Sequence, residues 1–171
     1  YLNGLGVQTY DAFWIFVTKI EHWIPWYLFI FVLFFVGYKR RQAITGILLS
    51  LVVVGFSLGI TEIVKNVVSR IRPSNMPEIT ELSRVLQSPN SFSFFSGHAA
   101  VSVAVTTFVV LALRHQFKWI YGIYIWPLLF MTSRIYVGVH YPGDIVVGSL
   151  VGIIIGLLFW KFAGRRWMQS A

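Results

Sequence analysis

The sequence predicts an all-α integral membrane bundle: five transmembrane helices preceded by an N-terminal interfacial or short membrane helix. Three observations carry this. Hydrophobic residues make up 57% of the 171-residue chain and charged residues only 12%, about half the ~25% charged share of a soluble domain. The apolar residues are gathered into long runs almost free of charge, as spanning helices require. The runs end against basic or aromatic residues, with 7 Trp, 8 Tyr and 15 Phe available as interfacial anchors. A bundle of this kind uses nearly every residue, so a single domain over residues 1–171 is expected, without a separate soluble module.

Residues 7–22 interleave Phe13, Trp14, Val17 and Ile20 with Asp11, Thr18, Lys19 and His22, which leaves a helix one apolar and one wet face. Such a helix lies in the interface or dips obliquely. Pro25 opens the first span, Trp23 to Tyr38, which stops at Lys39, Arg40 and Arg41. The second span runs from Ala43 to Ile63 and holds one charge, Glu62. The third begins at Ser96, continues from Ala99 to Leu113 and closes at Arg114, His115 and Lys118. The fourth covers Trp119 to Ser133, and the fifth Ile145 to Trp160 before Lys161, Arg165 and Arg166. Several uncharged cores have only 15 or 16 residues, short of the ~20 that cross the hydrocarbon, so polar groups must sit within the membrane ends. Gly148, Ser149, Gly152 and Gly156 give the fifth span a close-packing face, which places it inside the bundle. The polar stretch 70–95, with Pro73, Pro77, Pro89, Glu78 and Glu81, reads as an irregular loop or short interfacial helix, and substrate choice is expected within 74–94.

Alternating the spans places Lys39, Arg40, Arg41, Arg114, Lys118, Lys161, Arg165 and Arg166 at one membrane end and Lys65, Arg70, Arg72, Arg84 and Arg134 at the other. The richer end is cytoplasmic by the positive-inside rule, and loop 70–95 is then extracytoplasmic. A net charge of +8 suits anionic lipid or phosphate; a polar surface broad enough for nucleic acid is missing. Without cysteine, thiol redox chemistry, thiolate metal sites and cysteine nucleophiles are excluded.

Ionisable groups at membrane ends are costly and point to function. Three clusters emerge on the extracytoplasmic end: Lys65 to Pro73, Phe95-Ser96-Gly97-His98, and Ser133-Arg134 with His140 and Asp144. Lys65, Arg72 and Arg134 suit a polyanion, the two guanidinium forks offering bidentate donors to phosphate oxygens. Ser96 and Gly97 sit where a helix starts, so their N–H groups add an anion seat. Four residues apart on a turn opened by Pro142, His140 and Asp144 share a face: the carboxylate holds one ring nitrogen and leaves the other free as a nucleophile. His98 is the remaining group able to protonate a leaving oxygen and later deprotonate water. Arg70 competes with Arg72 for phosphate but is read as a surface or supporting residue. Glu62 is read as an ion-pair partner of Lys65 or a solvent-facing group.

The pattern K-x6-R-P, S-G-H and S-R-x5-H-x3-D over Lys65 to Asp144 is similar to the three-part signature of the type-2 phosphatidic acid phosphatase superfamily, which also contains vanadium haloperoxidases. The resemblance implies a metal-independent lipid phosphatase with a phosphohistidine intermediate on His140, Asp144 orienting it and His98 as acid/base. Lys65, Arg72, Ser96, Gly97 and Arg134 would then hold the phosphoryl group. Phe95 departs from the proline usual before Ser-Gly-His, which bears on loop geometry more than on chemistry. The compact length looks most like bacterial members, including lipid A 1-phosphatases, with undecaprenyl diphosphate, phosphatidylglycerol phosphate and phosphatidic acid as other substrates. It implies the bacterial cytoplasmic membrane, a site facing the periplasm or exterior, no cofactor, and no partner beyond lipid substrate and bilayer. Two readings of other classes compete. An intramembrane serine protease on Ser96 leaves Lys65, Arg72 and Arg134 unexplained, and a phosphate-selective channel does not need two histidines and Asp144.

Overall fold

A backbone in hydrocarbon must satisfy its own N–H and C=O groups, which is why each apolar run folds into a helix. The computed structural model describes residues 8–80, 84–164, 166 and 167 and contains no strand among them; Val7, Glu81 and Arg165 lie outside the described residues. The helices are α1 (Asp11–Thr18), α2 (Ile24–Gly37), α3 (Arg40–Val68), α4 (Pro77–Thr80), α5 (Gly97–Leu113), α6 (Ile125–Tyr136) and α7 (Pro142–Phe159). Ile20–Gly37, Arg40–Val68 and Pro142–Gly164 are long and apolar enough to cross a membrane, and Gly97–Leu113 is a shorter apolar helix.

The fourth expected span is divided. Lys118–Tyr124 winds as a 3-10 helix of 7 residues and α6 follows with 12. At ~2.0 and ~1.5 Å per residue the two extend over ~32 Å, so the tighter winding lets a short segment cover the hydrocarbon. Pro127 lacks the N–H that an α-turn would need from it, which fits a change of winding just before α6. The 8 residues of α1 reach only ~12 Å, so this helix by itself is shorter than the hydrocarbon is thick. It lies against α6, with Trp14 stacked on Tyr136 at 5.3 Å and Asp11 accepting the Tyr136 hydroxyl at 2.9 Å.

The centre of the bundle is α5, whose Ala99, Ala100, Ala104, Phe108, Ala112 and Leu113 are all fully buried. The expectation that the last span sits inside is corrected by this: α7 turns one stripe inward and exposes Val146, Leu150, Ile154 and Leu157. Its inward stripe repeats every four residues, so only one side of the helix is small. Along that stripe a Cβ would come within 2.7 Å of the Ser96 carbonyl at Gly148, 2.5 Å of the Ala100 carbonyl at Gly152 and 2.7 Å of the Ala104 carbonyl at Gly156. Gly152→Val is therefore expected to separate α5 from α7 and lower the thermal midpoint in detergent, costing ~2–4 kcal/mol. Gly55→Ala on α3, where an added Cβ meets nothing within 4 Å, is expected to leave the midpoint unchanged or raise it.

Large apolar side chains on α2, α3 and α7, among them Val32, Phe35, Leu48, Phe56 and Ile153, face outward, as expected where the solvent is acyl chain. Three polar side chains of α3 are satisfied within the helix: Ser50, Ser57 and Thr61 donate to the carbonyls of Gly46, Val53 and Ser57 at 2.7–2.9 Å. At one end of the bundle Tyr38 donates to the Ala112 carbonyl at 2.5 Å and Trp167 to the Gln42 carbonyl at 3.0 Å, which ties α2, α3, α5 and the end of the chain together. The opposite end collects the C-termini of α3 and α6 and the N-termini of α5 and α7.

Candidate active site

Ser69, in the left-handed conformation at φ 49°, ends α3 and donates its N–H to the Lys65 carbonyl at 2.8 Å. That reversal brings Arg70 and Arg72 back over the bundle, and Pro73 holds Arg72 extended. Arg72 is 3% exposed. Its Nη1 donates to the Val139 carbonyl at 2.9 Å and to His140 Nε2 at 3.2 Å, while Nε and Nη2 donate to the carbonyl and hydroxyl of Ser91 at 2.6 and 2.9 Å. Burial lowers its pKa, and the Asp144 carboxylate opposes that shift.

His140 lies in the turn before α7 and is 4% exposed. Its Nδ1 meets Asp144 Oδ2 at 3.4 Å. With Nδ1–H donated to the carboxylate, Nε2 keeps the lone pair that Arg72 bonds, so the tautomer with a nucleophilic Nε2 satisfies both neighbours. Burial, with help from Arg72 and Arg134, lowers the His140 pKa to about 4 against the opposing pull of Asp144. The imidazole is then neutral when folded and protonated when unfolded between pH ~4 and ~6.5. The unfolded chain binds the extra proton, so stability falls as pH drops through that window, by ~3 kcal/mol in all. Thermal midpoints in detergent are expected to fall from pH 6.5 to 4, with a shallower slope in His140→Gln.

Asp144 is completely buried and serves four donors. Arg70 Nη1 reaches Oδ1 at 2.9 Å; Ser93 Oγ, the Tyr141 N–H at 3.1 Å and His140 share Oδ2. The carboxylate thus caps its own helix and orients the histidine at once. Arg70 also lies 4.0 Å over the Tyr141 ring, which gives the supporting residue of the sequence reading a definite task. Ser93 and Ser91 were missed by that reading. Their loop has no periodicity, and the one available signal was the serine spacing just before Ser96.

Ser96 is fully buried. Its hydroxyl caps the Ala99 N–H at 3.4 Å and its own N–H donates to the Asp144 carbonyl at 3.1 Å. The expected anion seat loses that N–H as a result, because the amide ties α5 to α7; Gly97 still opens the first turn of α5, where N–H groups lack intrahelical acceptors. No histidine bonds the Ser96 hydroxyl among the described residues, and a serine nucleophile would need one. Ser133 donates to the Phe130 carbonyl at 2.6 Å. Arg134, 5% exposed, places Nη1 on Thr18 Oγ1 and, at 3.3 Å, on Gln87 Oε1, while its Nε is buried with no partner. His98, against Phe130 at 4.8 Å, lies within electrostatic reach of Lys65, Arg72, Arg134 and His140. Glu62 and Lys65 make no ion pair among the described residues; both line the mouth of a cavity.

That cavity, about 600 Å³, runs between α2, α3 and α5 from Lys65, Glu62 and His98 down to Ile30, Leu51 and Val109. Its walls are almost wholly apolar, so it suits a hydrocarbon chain. One end of the bundle therefore combines Lys65, Arg70, Arg72 and Arg134, the imidazoles of His98 and His140, the carboxylates of Glu62 and Asp144, and a greasy cleft.

Compared with known proteins, the chain matches the PAP2 superfamily over residues 44–168. It is 30% identical to a lipid A 4′-phosphatase of Porphyromonas gingivalis, over 99% of this chain and 74% of the relative. It is 32% identical to an undecaprenyl-diphosphatase of Sulfolobus acidocaldarius, over 92% and 72%. Its fold is that of a transmembrane PAP2-type phosphatidylglycerolphosphate phosphatase from Bacillus subtilis, with TM-score 0.74, 22% identity and coverage of 96% of this chain and 81% of that one. The motifs, the helical bundle and the match over most of the chain agree: this protein belongs to the PAP2 superfamily.

Proposed function

We propose that this chain hydrolyses the phosphate of a membrane lipid at the extracytoplasmic face, through a phosphohistidine on His140 and without a metal ion. The carrying observation is the apolar cleft that opens at His98 and Lys65, beside the cationic cluster. A lipid phosphate can lay its chains in the cleft with its phosphate among Lys65, Arg72 and Arg134. Arg72 bonds the Nε2 lone pair at 3.2 Å, so phosphate entry exchanges that bond for phosphoryl oxygens and frees the nucleophile. Nε2 then attacks phosphorus in line as the bond to the lipid oxygen breaks, and His98 gives that oxygen a proton. His98 next takes a proton from water, which attacks the phosphohistidine and releases inorganic phosphate. Fixed cations around a transferring phosphoryl group supply the charge stabilisation that metal ions give in other enzymes.

Lipid A phosphate is the favoured substrate, because two lipid A 4′-phosphatases match 96% and 99% of this chain at 29% and 30% identity; the 1-phosphate stands beside the 4′-phosphate as a target, and undecaprenyl diphosphate is the alternative, since an undecaprenyl-diphosphatase matches 92% of the chain at 32%. Purified protein in excess chelator is expected to release phosphate from lipid A faster than from undecaprenyl diphosphate, phosphatidylglycerol phosphate or phosphatidic acid. Release from none of them, or strict dependence on a divalent ion, contradicts the reading. For the face, the cysteine-free chain allows Ser88→Cys as a single label: an impermeant maleimide added to intact cells should modify it.

A further inference from the structure

The match to the PAP2 superfamily begins at residue 44, yet the preceding helix α1 is fastened to the helix that carries Arg134. At its start, Asp11 accepts the Tyr136 hydroxyl at 2.9 Å and pairs with Arg84, and Trp14 stacks on Tyr136 at 5.3 Å. At its end, Thr18 is 3% exposed and its Oγ1 accepts a hydrogen bond from Arg134 Nη1. Gln87, on the loop pinned by the Leu86 N–H to the Val137 carbonyl at 3.2 Å, accepts from the same nitrogen at 3.3 Å. Arg134 Nε is buried and bonds nothing. A guanidinium is planar, so two acceptors on one terminal nitrogen set the plane of the whole fork. A buried donor left without an acceptor is costly unless a ligand supplies one.

We propose that Thr18, assisted by Gln87, is a positioning residue for phosphoryl transfer: by holding Nη1 of Arg134 it keeps the Nε edge available to the phosphoryl oxygens. The N-terminal helix is on this view part of the phosphate site. The inference rests on the phosphatase reading above, in which Arg134 binds the phosphoryl group.

A four-protein comparison tests it: native, Thr18→Val, Arg134→Ala and the double variant, each measured for single-turnover phosphate release and for inhibition by inorganic phosphate. Thr18→Val keeps the shape of the side chain and removes the acceptor. It is expected to slow release ~10-fold and weaken phosphate inhibition by a similar factor, with Thr18→Ser restoring both. In the Arg134→Ala background Thr18→Val should cost nothing more, because residues acting through one group are not additive. Native behaviour of Thr18→Val, or an equal loss with and without Arg134, would overturn the proposal. Native activity of Arg134→Ala would instead remove Arg134 from the phosphate site and take the proposal with it. Should Thr18→Val not fold, Gln87→Leu in the half-buried loop gives the same comparison. A loss of ~3-fold that vanishes without Arg134 supports the proposal, and a loss that persists overturns it.

Discussion

His140→Ala is expected to reduce phosphate release by at least ~10⁴-fold, since on the proposed mechanism it removes the nucleophile and leaves only binding and electrostatic stabilisation. Among the described residues no other imidazole is held between a carboxylate and an arginine. His140 is the imidazole whose Nδ1 is held by Asp144 at 3.4 Å and whose Nε2 meets Arg72 at 3.2 Å; His98 lies at the cleft mouth against Phe130. The phosphoenzyme gives the direct readout. Native protein mixed with labelled lipid phosphate and quenched within one turnover should carry phosphate that is labile in acid and stable in base, and His140→Ala should carry none. His98→Ala should still accumulate label, more slowly with a poor leaving group, because protonation of the lipid oxygen and activation of water are lost while the nucleophile remains. Label persisting in His140→Ala would contradict its role.

Asp144→Asn is expected to lower turnover ~10³–10⁴-fold while leaving some phosphoenzyme detectable, since on the proposed mechanism it removes the negative charge that offsets the imidazole as Nε2 takes the phosphoryl group. The buried carboxylate accepts from Arg70, Ser93, the Tyr141 N–H and His140. An amide can keep the helix cap through its oxygen but turns an N–H₂ toward one donor. The stability loss is therefore ~1–3 kcal/mol, well below what the activity loss corresponds to, and Arg70 is exposed enough to be solvated. Arg70→Met and Ser93→Ala each remove one donor and leave that negative charge in place, so each should cost only ~10-fold. Midpoints by thermal unfolding and rates by single-turnover release separate the two effects. Equal losses in all three variants would mean that Asp144 acts as a structural anchor and not through His140.

Most of the bundle was legible because hydrophobic runs, prolines and basic stops are local signals. Pro25 and Lys39 bracket α2, and Pro142 opens α7. The misreadings were those where one helix face had to be weighed against another. Gly148, Gly152 and Gly156 mark a close approach correctly, but a stripe of small residues does not say which of two helices is central, and the surrounded helix proved to be α5. Trp119 to Ser133 reads as a plain apolar run, yet its first part is wound more tightly. The Ser96 amide reads as an anion donor because a helix starts there, while the structure spends it on the Asp144 carbonyl.

Residue type and spacing alone determined that Lys65, Arg72, His98, Arg134, His140 and Asp144 emerge at a single membrane end, because helices that must span a bilayer alternate direction and leave connectivity little choice. Tertiary structure alone decided which groups hold them: Arg70 on Asp144 across 74 positions, Ser91 on Arg72 across 19 and Thr18 on Arg134 across 116. Those partners come from loops and from a short N-terminal helix, where no periodicity binds sequence to direction. A hydrogen bond of 3 Å is set by where two distant backbones come to rest, and that is fixed by packing against α5 and α6.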